Sequence, residues 1–308
     1  MNKDKFNIFM AHLATLLALE SNNPNIVENI KVEEDCVEID ICSSQSEEQS
    51  EWDIPEKSSS VSKLPWEKDV KFLKAQEKNG THVLMSAFCS VLIDPLPGEE
   101  YNVQIAAKSL SGKVVQPGEV FSQNQSIGPY TKDKGYRKGA SYAGENIVET
   151  EGGGVCKIAS TLYNVAVLSD LEIVERHNHI MPVNYVPYGQ DATVAYGSKD
   201  FKFKNDKEYP ILIWAEVIEN RLYIGFYGRE ESPEVKWHHD ISNIIKAPKY
   251  YKNNPNLKIG EEKIIIKGID GATVNSYVTI KYKDGTIKTK NLGISKYWSL
   301  PYVIEANR

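Results

Sequence analysis

The chain has 308 residues, 41% of them hydrophobic and 25% charged, with a formal net charge of −6; this is the balance of an ordinary globular protein. Residues 1–62 carry 13 acidic against 4 basic side chains, a net of −9, which leaves the remainder near +3. No basic stripe or RNA-reading motif occurs, which argues against nucleic acid as a partner, and no run reaches about 18 apolar residues, so no transmembrane helix is expected.

In chain order, Lys3 and Lys5 precede a mostly apolar run over 6–19. Phe6, Phe9, Met10, Leu13, Leu16 and Leu17 follow helical spacing, which predicts an amphipathic helix. A secretory signal is the competing reading, but no small-x-small cleavage site closes the run, so by sequence the chain reads as cytoplasmic. An acidic strand over 30–41 completes an N-terminal unit, 1–42. Residues 43–62, rich in Ser, Glu, Gln and Asp, read as an acidic disordered linker. Of the four cysteines, Cys36 and Cys42 share one strand. Six strand residues span roughly 20 Å, too far for a disulfide.

Residues 63–231 read as the main domain. A short helix is expected over 66–77 and a strand over 82–93, stopped by Pro95-Leu96-Pro97-Gly98. Val103, Ala106, Ala107 and Leu110 mark an amphipathic helix over 101–110. A turn at Gln116-Pro117-Gly118 leads to a strand around Val120-Phe121. Residues 132–140, including Tyr136, read as a surface loop near a site. A second helix follows Gly152-Gly153-Gly154-Val155-Cys156, where Ile158, Leu162, Tyr163, Ala166 and Val167 recur near period 3.6. Strands are expected at 172–176, 181–186, 192–196 and 201–204, then a hairpin 211–217/222–227 through Glu219-Asn220. The fold class is α+β: a central helix and a second helix packed on a mostly antiparallel sheet. Residues 232–308 read as a small β-rich unit, with a connector over 250–256 and a hairpin turning at Asp284-Gly285.

The chemistry centres on the glycine run. Consecutive glycines take positive φ and allow close approach. A thiol at the first turn of a helix feels the positive end of the dipole, which favours thiolate. The N–H groups of Gly153 and Gly154 would form an oxyanion hole. Downstream lie His177 and His179, two apart on an extended segment and so on one side of it, and then Asp191. Cys, His and Asp in that order resemble papain-like and transglutaminase-like thiol enzymes. Cys156 would be the nucleophile, His179 the general base and Asp191 the group that fixes the imidazole tautomer. Gly153, Gly154, Lys157, His177 and Tyr136 are candidates for oxyanion or substrate binding, Lys157 by holding a carboxylate. Bland readings stand beside these: Cys156 as a core thiol, the histidines as caps of a sheet, Asp191 as a turn residue. A metal site of Cys156, His177, His179 and Asp191 has suitable ligand types without a recognised spacing. His238-His239-Asp240 reads as a solvated loop. No cofactor is expected.

The run GGGVCKIASTLYNVAVLSDLEIVERHNHIMPVNYVPYGQDATVAYGSKDFKFKN, residues 152–205, resembles the VanW family, named for an accessory protein of vancomycin-resistance operons. Asn102-Val103-Gln104-Ile105-Ala106-Ala107, Pro117-Gly118-Glu119-Val120-Phe121-Ser122, Gly128-Pro129 and Gly135-Tyr136 extend the resemblance over 82–229. Two positions depart from the family pattern: Lys157 where Gln is usual and Ile180 where Ser is usual. Gly268-Ile269-Asp270-Gly271 and Tyr302-Val303-Ile304 partly resemble five-glycine cell-wall modules, without the closing glycine. The resemblance implies a bacterial cell-envelope role with peptidoglycan or cell-wall peptide as partner. Three functions stay open: a thiol-dependent amidase, peptidase or acyltransferase; a non-catalytic envelope binding or assembly protein using the same cleft; and the metal site.

Overall fold

The structure is a computed structural model that describes residues 51–93, 98–143 and 146–307. The expectations for 1–50, including Cys36 and Cys42, lie outside the described residues, as does Pro95-Leu96-Pro97. Residues 49–308 form one compact unit. Its strands in chain order are β1 (Ser59–Ser60), β2 (Val83–Val91), β3 (Lys113–Val115), β4 (Val120–Ser122), β5 (Lys138–Ala143), β6 (Asn146–Glu151), β7 (Glu172–Glu175), β8 (Lys202–Lys204), β9 (Ile211–Ile218) and β10 (Arg221–Gly228). Six more follow: β11 (Glu234–Ile245), β12 (Lys249–Asn253), β13 (Glu262–Ile266), β14 (Gly271–Lys281), β15 (Ile287–Tyr297) and β16 (Tyr302–Ala306). The helices are α1 (Val70–Asn79), α2 (Glu99–Leu110), α3 (Gln123–Ile127) and α4 (Val155–Leu168). The fold is α+β, and among the described residues no helix is long and apolar enough to cross a membrane.

The central sheet has the order β1-β2-β10-β9-β3 and is antiparallel throughout. Strand side chains alternate faces, and β10 uses both. Leu222, Ile224 and Phe226 join the core under α2 and α4, while Tyr223 and Tyr227 join a second cluster with Leu64, Trp66 and Phe72. Gly225 lies beneath that cluster, where a Cβ would stand 3.2 Å from Leu64 and 3.3 Å from Trp66. In α4 only Cys156 and Leu168 of its 14 residues escape full burial. α4 is covered on several sides: the sheet lies against one, and Trp237 of β11 meets Tyr163 edge-on at 5.7 Å on another.

Residues 51–62, expected as a linker, instead run along the sheet edge. Val61 N–H donates to Ala87 O at 3.2 Å, Val91 N–H to Ser58 Oγ at 2.7 Å and Tyr223 Oη to Asp53 O at 3.0 Å. The reason is apolar: Trp52 and Val61 pack on the Trp66 cluster, and composition alone hides two such residues among polar ones. The C-terminal strands form β11-β14-β15 and β12-β16-β13 sheets, and Val278 and Ile280 of β14 enter the main core. The 250–256 segment, expected as a connector, contributes β12, paired parallel to β16. His238 and His239 lie on β11, not in a loop, and bond Thr279 and Ser276.

Trp66 is 1% exposed, and its Nε1–H donates to Tyr227 Oη at 2.8 Å. Trp66→Ala is expected to cost about 3–5 kcal/mol in guanidinium unfolding, from the lost ring and the cavity left behind. A loss under about 1 kcal/mol would show that the segment before α1 is dispensable to the core.

Candidate functional site

The glycine triplet serves close packing. Gly152 and Gly154 have φ of 71° and 105°, values that L side chains resist. A Cβ on Gly153 would lie 2.6 Å from the carbonyl oxygen of Gly139 on β5, and one on Gly152 would lie 2.5 Å from Tyr130. Asn102 Nδ2 clamps the crossing by donating to Gly153 O and Arg137 O, each at 2.9 Å. The N–H of Gly153 donates to Thr150 O at 3.3 Å, so it is already engaged, contrary to its expected oxyanion role. Cys156 nonetheless sits in the first turn of α4, where a helix directs its positive end.

A polar stripe at i, i+4 and i+8 runs down α4: Cys156, Ser160 and Asn164. It straps the loop 190–194 to the helix. Asn164 Nδ2 donates to Gln190 O at 2.9 Å, and Ser160 Oγ accepts from Ala192 N–H at 2.9 Å. Cys156 Sγ accepts from Val194 N–H at 3.4 Å and stands 3.4 Å from Thr193 Oγ1. The strand expected over 192–196 is therefore absent, because helix side chains satisfy the backbone groups that a neighbouring strand would take. The expected strand over 181–186 is likewise irregular.

This loop delivers Asp191, whose side chain is 2% exposed. Its Oδ2 accepts from His179 Nδ1–H at 2.6 Å and from His179 N–H at 2.7 Å. Its Oδ1 accepts from Arg176 Nη2–H at 3.0 Å and Tyr297 Oη–H at 2.5 Å. Burial opposes ionisation of Asp191, but the hydrogen bonds and charges of His179 and Arg176 prevail and hold its carboxyl below the ordinary range. For His179, burial works against the cation, yet Asp191 and Cys156 together lift it to about 9. For Cys156, burial works against thiolate, yet hydrogen bonding and charge from His179, with smaller help from Thr193 and Val194 N–H, bring the thiol below its usual value. With Nδ1 committed to Asp191, Nε2 is the ring nitrogen left for the thiol. A thiol of lowered pKa beside an imidazole that is itself backed by a carboxylate has the residue types that nucleophilic catalysis uses.

The other expected residues divide. His177 turns away and pairs with Glu175 at 3.0 Å; Glu175 is itself held at about 2, chiefly by Lys202. Lys157 does hold a carboxylate, that of Glu99 at 2.6 Å, in a buried pair. Tyr136 is buried, its hydroxyl donates to Ile127 O at 2.9 Å, and burial pushes it up to about 12; it is a core residue, not a loop contact. Among the described residues no three His, Cys, Asp or Glu side chains converge as a metal site; the departure of His177 removes the expected ligand set. Arg176, Thr193, Ser295 and Tyr297 went unread. Arg176 adjoins His177 and carried a local signal, whereas Ser295 and Tyr297 lie in the C-terminal unit and carried none.

Residues 98–227 match the family model described as VanW like protein. Over 130 residues the chain is 39% identical to the uncharacterized protein YoaR of Bacillus subtilis (strain 168), covering 42% of this chain and 43% of that protein. Over 139 residues it is 30% identical to the vancomycin B-type resistance protein VanW of Enterococcus faecalis (strain ATCC 700802 / V583), covering 44% and 50%. The matches thus span half or less of these curated relatives. Solved structures similar to part of the chain include HP0197-G5, at 14% identity over 24% of this chain and 99% of that one with a TM-score of 0.14. The IgA1 protease G5 domain matches at 16% identity over 26% and 95%, with a TM-score of 0.16.

The pKa shifts carry a sign. His179, raised to about 9 from an unfolded value of about 6.5, adds stability that is fully present below about pH 6.5 and is lost as pH rises through about 9. Asp191, depressed, adds stability present above its unfolded value of about 3.9 and lost as pH falls through the lower folded one. Asp191→Asn should lower the NMR midpoint of the His179 ring by about 1–3 units and flatten the alkaline loss of stability. An unchanged midpoint would show that Asp191 does not hold the imidazolium.

Proposed function

We propose that this chain is a thiol-dependent acyl-transfer enzyme, an amidase, peptidase or acyltransferase, acting on peptide of the cell envelope. The observation that carries the reading is the 2.6 Å bond from His179 Nδ1–H to buried Asp191, with the other face of the ring left to a thiol of lowered pKa. The envelope substrate is supported by the similarity to a protein named for vancomycin B-type resistance.

In the proposed reaction the Cys156 thiolate attacks an amide carbonyl carbon, forming the C–S bond as the π electrons move to oxygen. The Cys156 N–H, in the first turn of α4, serves as the oxyanion donor, since the Val155 and Lys157 N–H groups already donate to Gly152 O and Gly154 O. As the tetrahedral adduct collapses the C–N bond breaks, and the His179 imidazolium gives its Nε2 proton to the leaving nitrogen. Neutral His179 then takes a proton from water, or from an acceptor amine, which attacks the thioester. The C–S bond breaks and thiolate and imidazolium are restored. Asp191 stays ionised throughout and keeps Nδ1 protonated. Lys157 is neutralised by Glu99 and serves the architecture of α4 rather than the substrate.

The test is alkylation of the full chain. Cys156 should react with iodoacetamide at about pH 5.5 far faster than Cys89, which is buried and pushed up to about 12. His179→Ala should slow it by about tenfold or more, since the thiolate loses its counter-charge, while Cys156→Ser keeps the fold. Labelling of Cys156 only after denaturation would defeat the reading. A reactive thiol that turns over no cell-wall peptide amide would favour the binding protein built on the same cleft. Protection by zinc, reversed by a chelator, would revive the metal.

A further inference from the structure

We infer that the C-terminal β unit is part of the thiol site and that Tyr297 is its positioning residue, fixing the Asp191 carboxylate so that it faces His179. This rests on the reading of Cys156, His179 and Asp191 as the reacting group. The VanW-like segment ends at residue 227, so this contribution comes from outside it.

The argument is one of donors and their origins. Asp191 accepts four hydrogen bonds, and three of them come from Arg176 and His179, three residues apart on one loop. That loop can move as a body and carry its three donors with it. Tyr297 is the donor that comes from another element, at the end of β15. Its hydroxyl also accepts from Gly189 N–H at 3.0 Å, so one oxygen ties both the backbone before Asp191 and the carboxylate itself. Burial raises the Tyr297 phenol above its ordinary value, so it stays protonated and remains a donor. Ser295, two residues earlier and thus on the same strand face, accepts from Arg176 Nη1–H at 2.7 Å. A second donor to the carboxylate is therefore held by the same strand.

The surrounding contacts hold the loop to this unit along its length. Trp298 N–H donates to Ile180 O at 2.8 Å and Asn178 Nδ2 to Lys296 O at 3.1 Å. Gln190 Nε2 meets His239 Nε2 at 3.0 Å, and Tyr188 Oη donates to Asp270 O at 2.5 Å. Gly189 has φ of 80°, and a Cβ there would collide with Ser276 Oγ. Of the titratable and charged groups around Asp191, His179, Arg176 and Tyr297 bond it directly. Tyr163 of α4 and Tyr185 lie within electrostatic range, and Cys156 acts on it through His179.

The experiment uses the full chain and Tyr297→Phe, which keeps the ring and removes the oxygen. Two readouts are taken: the downfield ring N–H resonance of His179, which reports the bond to Asp191 whatever the thiol does, and the pH profile of Cys156 alkylation. The resonance should shift or broaden. Alkylation at about pH 5.5 should fall about tenfold while the rate near pH 10 is kept, because one pKa unit on the thiol removes that much thiolate only where most of it is protonated. Ser295→Ala, which frees Arg176 and leaves Tyr297 in place, should move the resonance in the same direction by less, and it serves if Tyr297→Phe does not fold. A wild-type resonance and profile in both variants would overturn the inference. A shifted resonance in a protein whose wild-type Cys156 is inert would uphold the positioning and defeat the enzyme instead.

Discussion

One buried carboxylate governs the local structure. An isolated charge as enclosed as Asp191 would cost several kcal/mol, and breaking a buried pair by removing one partner costs about 3–5 kcal/mol. The structure meets that cost with four donors from three residues, two on each oxygen. Those donors must all reach one point, which accounts for the irregular chain between β7 and β8. A strand alternates its side chains and offers its N–H groups to a neighbour. The 176–194 loop instead turns its backbone toward a carboxylate, a hydroxyl and a thiol.

Much of this was legible in the sequence where the signal is local. The period of Ile158, Leu162, Ala166 and Val167 specifies a buried helix, and the α4 start at Val155 follows from the glycines before it. The β9–β10 hairpin and the turn at Asp284-Gly285 were equally plain. The sequence also pointed to Cys156, His179 and Asp191 together, because chain order and a helix N-terminus are both local facts. What it hid is settled by residues that arrive from far along the chain. The Gly153 N–H is the local exception, taken by Thr150 O three residues back where the β5–β6 hairpin ends. Lys157 looked like a ligand for substrate until Glu99 reached it. The alternation of Ala192 and Val194 resembles a strand, but a helix side chain, Ser160, is what pairs with that backbone.

The same distance effect explains the two departures from the family pattern. Lys157 is neutralised inside the fold by Glu99 at the first turn of α2, so its charge is spent locking the two helix starts together. Ile180 is 65% exposed and follows His179 directly. Its carbonyl accepts from the Trp298 N–H, so that position joins the loop to the C-terminal unit through backbone, which any side chain permits.

The two described cysteines show what the surroundings of Cys156 accomplish. Cys89 lies on β2 with 0% exposure, and burial pushes its thiol up to about 12. Cys156 also meets a desolvation penalty that favours the neutral thiol, yet its pKa moves the other way. Residue type and a desolvation penalty being shared, the difference lies in partners: an imidazolium, the Val194 N–H, the Thr193 hydroxyl and the start of a helix. Of these the imidazolium is the largest, and it exists at neutral pH because Asp191 and the thiolate together outweigh its own desolvation. Asp191 in turn stays ionised because Arg176 and His179 outweigh the burial that would protonate it. The lowered pKa of the thiol is thus the last link of a chain that runs through His179 and Asp191 to Arg176, and each link depends on the charge held by the next.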